Sequence, residues 1–197
     1  MTIKCMSYTT SVCYSPNGKY IVSTHERCNR INIWDSTTGK IIKTLHGHKD
    51  RIVNITWTPN NKYIVSSLRK ICISDLENCG QIKFFLEDDS TLISCVCYST
   101  NEKYIIAGVY CDIKIWDSLN GELIKTLKVE SVVIRVCYFS NDKYIISGDS
   151  NNEIRIYNTK NYQLLQIIKD AGFFYNISHG INLVTKIKQA IQSKKMK

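Results

Sequence analysis

The sequence has no uninterrupted apolar run near the roughly 20 residues that a membrane-spanning helix needs. Nor does an apolar signal-peptide core follow Met1. We therefore expect an intracellular protein, cytoplasmic or nuclear, that is neither secreted nor membrane-bound. Hydrophobic residues make up 44% of the 197 residues and charged residues 22%, which is typical of a folded globular chain and not of a disordered one.

Sequence motifs of catalysis are also missing. The chain contains neither the glycine-rich phosphate-binding loop nor the G-x-G-x-x-G dinucleotide motif. Its four histidines do not stand at a recognisable spacing from a candidate nucleophile. The sequence therefore predicts a protein that is not an enzyme, with no catalytic residue and no cofactor.

The nine cysteines include no C-x-x-C pair, and without a signal peptide they are interpreted as free thiols. Cys95 and Cys97 are the nearest pair, on one face of a predicted strand, but no histidine lies near them. His46-Gly47-His48 could hold a metal as an exposed pair, but a turn with one structural histidine is the favoured interpretation. We predict no metal site.

Positive charge is concentrated at the C-terminus. The formal net charge is +9, and the segment 181–197 contains five lysines and no acidic residue. The remainder of the chain is only mildly basic, which disfavours a nucleic-acid-binding surface on the folded body. A lysine-rich tail over 186–197 nevertheless leaves an alternative open, a basic protein that associates with nucleic acid through that tail.

The most informative feature is an internal repeat. A Lys-Tyr-Ile phrase occurs four times, with lysines 43, 41 and 40 residues apart, at Lys19, Lys62, Lys103 and Lys143. A period of this size over four copies indicates a repeat architecture. An apolar phrase with Cys13, Cys97 or Cys137 precedes three of the copies. We expect these cysteines to pack between units.

Each copy is predicted to form four short strands. A third phrase alternates isoleucine with other residues, as a half-buried strand does, at 31–35, 71–75, 113–117 and 154–158. Asn-Gly and similar turn residues separate the apolar runs. One such sheet is apolar on both faces and must stack against a neighbour on each side.

At these residues the chain resembles the WD40-repeat family. Two Trp-Asp pairs match the closing dipeptide of that repeat, Gly47-His48 matches its opening dipeptide, and Asp75 and Tyr157 stand at the closing positions of the other two copies; the Trp-Asp pairs are Trp34-Asp35 and Trp116-Asp117. The resemblance implies an all-β fold of propeller blades, four four-stranded antiparallel units that form an incomplete or open propeller. Repeats are expected at about 8–46, 47–88, 89–129 and 130–169, with a possible partial fifth at 170–185 before the tail 186–197.

The family usually stabilises a blade with buried hydrogen bonds among a histidine, a serine or threonine, an aspartate and the tryptophan. The aspartate lies six residues before the tryptophan. Other residues occupy that position in all four copies, namely Cys28, Leu68, Tyr110 and Asn151. We therefore expect an incomplete network in every blade, with Asn151 as a partial substitute.

The resemblance implies a non-enzymatic scaffold for protein–protein interactions. Its binding residues would lie on the loops between units and after the second strands, matched here by Arg27, Lys49, Arg51, Arg69, Lys70, Tyr110 and Asn152. The partner is an unknown protein or peptide, and self-association could close the propeller. A truncated fragment without a function is a further alternative to the scaffold.

Overall fold

In the computed structural model, the described residues are 8–26, 29–46, 51–67, 69–76, 81–86 and 92–169. They form sixteen strands in four sheets of four, and no two of these sheets share a strand. The partial fifth repeat at 170–185 and the tail at 186–197 lie outside the described residues.

Within each sheet the strands follow chain order and every neighbouring pair is antiparallel, which confirms the predicted four-stranded units. Blade 1 contains β1 Thr9–Tyr14, β2 Tyr20–His25, β3 Arg30–Asp35 and β4 Ile41–His46. Blade 2 contains β5 Asn54–Trp57, β6 Tyr63–Ser67, β7 Lys70–Asp75 and β8 Gln81–Leu86. Blade 3 contains β9 Ile93–Tyr98, β10 Tyr104–Val109, β11 Asp112–Asp117 and β12 Leu123–Lys128. Blade 4 contains β13 Val133–Phe139, β14 Tyr144–Asp149, β15 Ile154–Asn158 and β16 Leu164–Ile168.

This topology separates the connections into two faces. The upper face carries the turns between the second and third strands and the links from one blade to the next. The lower face carries the turns between the first and second strands and between the third and fourth strands. Loops at one face are thus held on a common frame of strands.

The core consists of apolar layers between successive blades. One layer combines Val22, Ile31 and Ile33 of blade 1 with Ile55 and Ile64 of blade 2. Corresponding layers join blade 2 to blade 3 and blade 3 to blade 4. The second strands are buried along almost their whole length, because a neighbouring sheet covers them. Over the described part of the chain, the four sheets are not closed into a ring.

The first strand of blade 1 differs in exposure from its counterparts. Ile55, Val96 and Val136 occupy one repeat position and are 4%, 5% and 5% exposed, each in a layer that joins two blades. Val12 occupies the same position in blade 1 and is 60% exposed. Tyr14, two residues further along β1, is exposed as well.

Two backbone requirements accompany this stacking. A Cβ atom on Gly108 would lie 2.8 Å from a methyl carbon of Val133 on β13, so only glycine fits there without a shift of the neighbour. On the lower face, one repeat position in the turn between the first and second strands has a left-handed backbone conformation. This position is occupied by Asn61 in blade 2, Glu102 in blade 3 and Asp142 in blade 4. The Asp142 carboxylate accepts hydrogen bonds from the backbone N–H groups of Thr100 and Asn101 in the preceding blade, both at 2.9 Å.

Blade 1 contains a buried polar network of a different composition from the expected one. The indole N–H of Trp34 donates to Oγ of Ser23 at 2.8 Å, and that Oγ lies 3.1 Å from Nε2 of His25. His25 belongs to β2, so the histidine of this network does not come from a link between blades. Its Nδ1 is buried without a hydrogen-bond partner among the described residues. The indole N–H of Trp34 is therefore satisfied, whereas one ring nitrogen of His25 is not satisfied by a described residue.

The serine of this network can be tested by substitution. Ser23→Ala leaves the buried Trp34 indole without its acceptor, so we expect it to lower the free energy of unfolding by about 1–3 kcal/mol. Ser147 occupies the equivalent position in blade 4, and its buried Oγ has no partner among the described residues. Ser147→Ala is therefore expected to be neutral or slightly stabilising. Urea unfolding of both variants measures the difference, and equal effects would contradict the assignment.

Candidate interaction surface

The topology brings the predicted loop residues of the described chain to the upper face. Arg51 lies in the link before β5, and Arg69 and Lys70 lie where the chain turns from β6 into β7. Tyr110 and Asn152 occupy the corresponding turns of blades 3 and 4. Arg27, Lys49, Gly47 and His48 lie outside the described residues.

Arg51 joins two blades across the upper face. Its guanidinium lies 3.4 Å from the carboxylate of Glu26, which follows β2 of blade 1. Both side chains are about half exposed, so this ion pair contributes at most about 1 kcal/mol to stability. Arg51 is therefore available to a partner at little cost to the fold.

Tyr110 presents an aromatic ring on this face. It is 67% exposed and adopts a left-handed conformation with φ of 53°. Its carbonyl oxygen accepts the backbone N–H of Val133 at 2.8 Å, which ties the turn to blade 4. Asn152 also has a positive φ, and its backbone N–H donates to the carbonyl oxygen of Asp149 at 3.1 Å. The backbone thus holds both turns while the Tyr110 ring faces solvent.

Blade 4 carries a buried ionic cluster that the sequence analysis missed. Arg155 and Asp149 are both almost fully buried, with Nε 3.2 Å from a carboxylate oxygen. The guanidinium also lies 2.6 Å from Glu153 and 3.6 Å from Glu130. The second oxygen of Asp149 accepts the backbone N–H groups of Asn151 and Glu153, which closes the turn. The carboxylate at this turn is therefore Asp149, whereas the side chain of Asn151 is exposed.

A signal for this cluster was present in the sequence. Arg155 stands between two isoleucines in a predicted strand. A charged side chain at such a position is buried only when it has charged or hydrogen-bonding partners. Asp149 and His25 share one repeat position at the end of the second strand. Asp149 lies eight residues before Tyr157 instead of the family's six, which is why the motif spacing did not identify it.

The described residues of the repeat motif serve the fold, either in the core or in the lower-face turns. Trp34, Trp116 and Tyr157 are buried, as is Asp75. The Asp35 carboxylate accepts the backbone N–H and hydroxyl of Thr38, and these hydrogen bonds lower its pKa. Asp117 likewise accepts the backbone N–H groups of Leu119 and Asn120. In the described part of the chain, these side chains support turns and layers of the fold.

Three cysteines share one repeat position. Cys13 and Cys97 lie in layers between two blades, whereas the apolar cluster around Cys137 consists of blade 4 residues alone among the described residues. Cys13, Cys97 and Cys137 are partly buried and pack against three different apolar clusters. Burial raises the pKa of Cys13 to about 12, that of Cys97 to about 11 and that of Cys137 to about 12. A thiol with a raised pKa stays protonated at neutral pH, and the protonated form is a poor nucleophile.

We expect these three cysteines to resist alkylation in the folded protein. At pH 8 their raised pKa values leave almost no thiolate, so iodoacetamide should react more than about 100-fold slower than with an ordinary cysteine. Site-resolved mass spectrometry over time measures the three rates, and the same chain in guanidinium is the control. Equal rates in the folded and unfolded chains would refute the burial of these thiols.

Among the described residues, no group of three or more histidine, cysteine, aspartate or glutamate side chains could hold a metal ion. The same residues include no helix with the length and apolar character needed to cross a membrane.

Sequence models of two families match the chain. The model described as "WD domain, G-beta repeat" matches residues 80–117 and 121–158. The model described as "Anaphase-promoting complex subunit 4 WD40 domain" matches residues 4–60. Together these matches span about two thirds of the sequence.

Similar proteins share the repeats over part of their length. The chain is 27% identical over 120 residues to a putative BTB/POZ domain and WD-repeat protein of Acanthamoeba polyphaga mimivirus, covering 59% of this chain and 22% of that protein. It is 26% identical over 173 residues to the COMPASS component SWD3 of Saccharomyces cerevisiae, covering 75% and 54%. A crystal structure of RRP9 WD40 repeats superposes with a TM-score of 0.75 at 15% identity, covering 84% of this chain and 52% of that one. The chain thus spans about half, or less, of each of these proteins.

Proposed function

Since this chain belongs to the WD40-repeat family, whose members generally act as non-enzymatic scaffolds for protein interactions, we propose that it docks a partner protein or peptide on its upper face. The binding residues of this proposal are Arg51, Arg69 and Tyr110, with Lys70 and Asn152 beside them. Arg27 and Lys49 are included in the proposal because their positions in the sequence match the same loops. The proposal includes an intracellular location, cytoplasmic or nuclear.

The observation that carries the proposal is the exposure of these side chains at the upper ends of the blades, together with the backbone hydrogen bonds that hold the turns of Tyr110 and Asn152. Arg51, Arg69 and Tyr110 are exposed, and arginine and tyrosine are frequent anchors of protein interfaces. A fixed turn loses little conformational freedom when a partner binds, which favours affinity.

Charge on the upper face supports a partner with an acidic segment at blades 1 and 2. Arg51, Arg69 and Lys70 lie there, whereas Glu130, whose side chain is 86% exposed, lies near the upper end of blade 4. Such an arrangement would orient an elongated partner by its charge. The nucleic-acid alternative depends on the tail at 186–197, outside the described residues, and stays a prediction, as does a fragment without a function.

The proposal can be tested by selecting ligands from a random peptide library displayed on phage, with the full chain as bait. We expect selected peptides to bind a triple variant, Arg51→Ser with Arg69→Ser and Tyr110→Ser, at least about tenfold more weakly, because two or more anchors are removed. Fluorescence anisotropy of the labelled peptides measures the dissociation constants.

The matched control removes the same positive charge from the lower face. Lys40 and Lys160 are exposed on lower-face turns, so Lys40→Ser with Lys160→Ser lowers the net charge equally. This control should keep the affinity of the unmodified chain. Equal loss in both variants, or selected peptides that bind the triple variant as tightly as the unmodified chain, would overturn the proposal.

A further inference from the structure

We propose that a pocket between blades 2 and 3 on the lower face receives an arginine side chain of a partner protein. The pocket has a volume of about 500 Å³ and opens to solvent. Tyr63 and Ile73 of blade 2 form one wall, and Tyr98, Glu102 and Asp117 of blade 3 form the other. This site lies on the opposite face from the upper-face residues and goes beyond the function proposed above.

The other two junctions show why this pocket is open. Between blades 1 and 2, the rings of Tyr20 and Trp57 stack with centroids 6.1 Å apart and an interplanar angle of 19°. Between blades 3 and 4, the ring of Tyr162 packs into the cluster that contains Tyr104 and Tyr138. The large ring of Trp57 therefore occupies the junction of blades 1 and 2, and the additional ring of Tyr162 occupies the junction of blades 3 and 4.

The corresponding residues leave a ring-sized space between blades 2 and 3. Tyr63 and Tyr98 match Tyr104 and Tyr138 in repeat position, but the position of Tyr162 is taken by Gly121. Both Gly121 and Tyr162 have a positive φ, of 79° and 57°. The two turns thus share a left-handed residue, and the blade 3 turn lacks the aromatic ring that its counterpart supplies.

Two carboxylates make this space selective for a cation. The Oε2 atom of Glu102 accepts a hydrogen bond from the side-chain amide of Asn60. The Oδ1 atom of Asp117 accepts hydrogen bonds from two backbone N–H groups of the turn that follows it. Among the described residues, their other oxygens have no hydrogen-bond or ion-pair partner, and Lys103 at the rim pairs with neither. Burial raises the pKa of the Tyr98 phenol, and the nearby charges of Glu102 and Asp117 add to that rise.

Arginine fits this combination of surfaces better than lysine does. A guanidinium is planar, stacks on aromatic rings and donates to carboxylates in a fork, whereas an ammonium is a compact and strongly hydrated charge. Blade 4 lacks a comparable pair of available carboxylates. Asn158 stands at the position of Asp117, and both carboxylate oxygens of Asp142, which stands at the position of Glu102, accept hydrogen bonds from blade 3. Leu119 at the rim is 79% exposed and would contact an apolar residue next to the arginine.

The test uses the full chain and a defined probe, the peptide acetyl-Ala-Arg-Leu-amide. Titration is followed by chemical-shift changes in ¹H–¹⁵N spectra of the labelled protein. We expect saturable shifts around Tyr98, Glu102 and Leu119. The same peptide with citrulline in place of arginine keeps the shape but loses the charge, and it should bind at least about tenfold more weakly.

Three variants separate occupation of the pocket from general damage to the fold. Gly121→Tyr supplies the ring found at Tyr162 and should abolish the shifts, whereas Gly39→Tyr makes the same change at the left-handed glycine of the blade 1 turn and should preserve them. Glu102→Gln with Asp117→Asn keeps acceptors for Asn60 and for the turn, as Asn158 does in blade 4, and should weaken binding by about tenfold or more.

The outcomes decide the proposal independently of the upper-face site. Absence of saturable shifts with the arginine peptide would overturn it, as would equal affinity for the citrulline peptide. Binding that survives Gly121→Tyr in a variant with an unchanged melting temperature would also overturn it. The triple variant Arg51→Ser, Arg69→Ser and Tyr110→Ser should bind this peptide normally, so failure of either site leaves the other unaffected.

Discussion

Stacking of one sheet against the next is the constraint on which this structure depends. Each sheet is apolar on both faces, and residues such as Ile64, Ile105 and Ile145 are fully buried at the junctions. Burial of one such side chain stabilises a fold by about 1.5–3 kcal/mol, whereas an uncovered sheet would leave several of them in water. The sequence repeat of about forty residues follows from this requirement, since every blade must present the same surfaces to its neighbours.

The junctions also determine where polar chemistry occurs. Gly108 lets β13 approach closely, and Asp142 fastens one lower-face turn to the next. Polar side chains that enter a blade are held in pairs or networks, as Arg155 is by Asp149 and Trp34 by Ser23. Variation between junctions is the source of individual sites, because a glycine in one turn leaves the space that Tyr162 fills in another.

Much of this architecture could be predicted from the sequence. The alternation of isoleucines and the turn residues identified the four strands of each unit, because those signals depend only on neighbouring residues. The partners of His25 and Asp149 could not be predicted in that way, since they depend on which strands lie side by side and the family spacing did not hold. The pocket beside Tyr98 required a comparison of three junctions in space. The upper-face residues remain a prediction, because exposure shows where a partner could bind and does not identify one.

The most direct test of the stacking account compares one substitution at one repeat position in three blades. Val12, Val96 and Val136 are all valine, but among the described blades a preceding blade covers only the last two, which are 5% exposed against 60% for Val12. The account predicts that Val96→Ala and Val136→Ala each lower the free energy of unfolding by about 1–3 kcal/mol, and that Val12→Ala changes it by less than about 0.5 kcal/mol. Equal losses for the three variants in urea unfolding would contradict it.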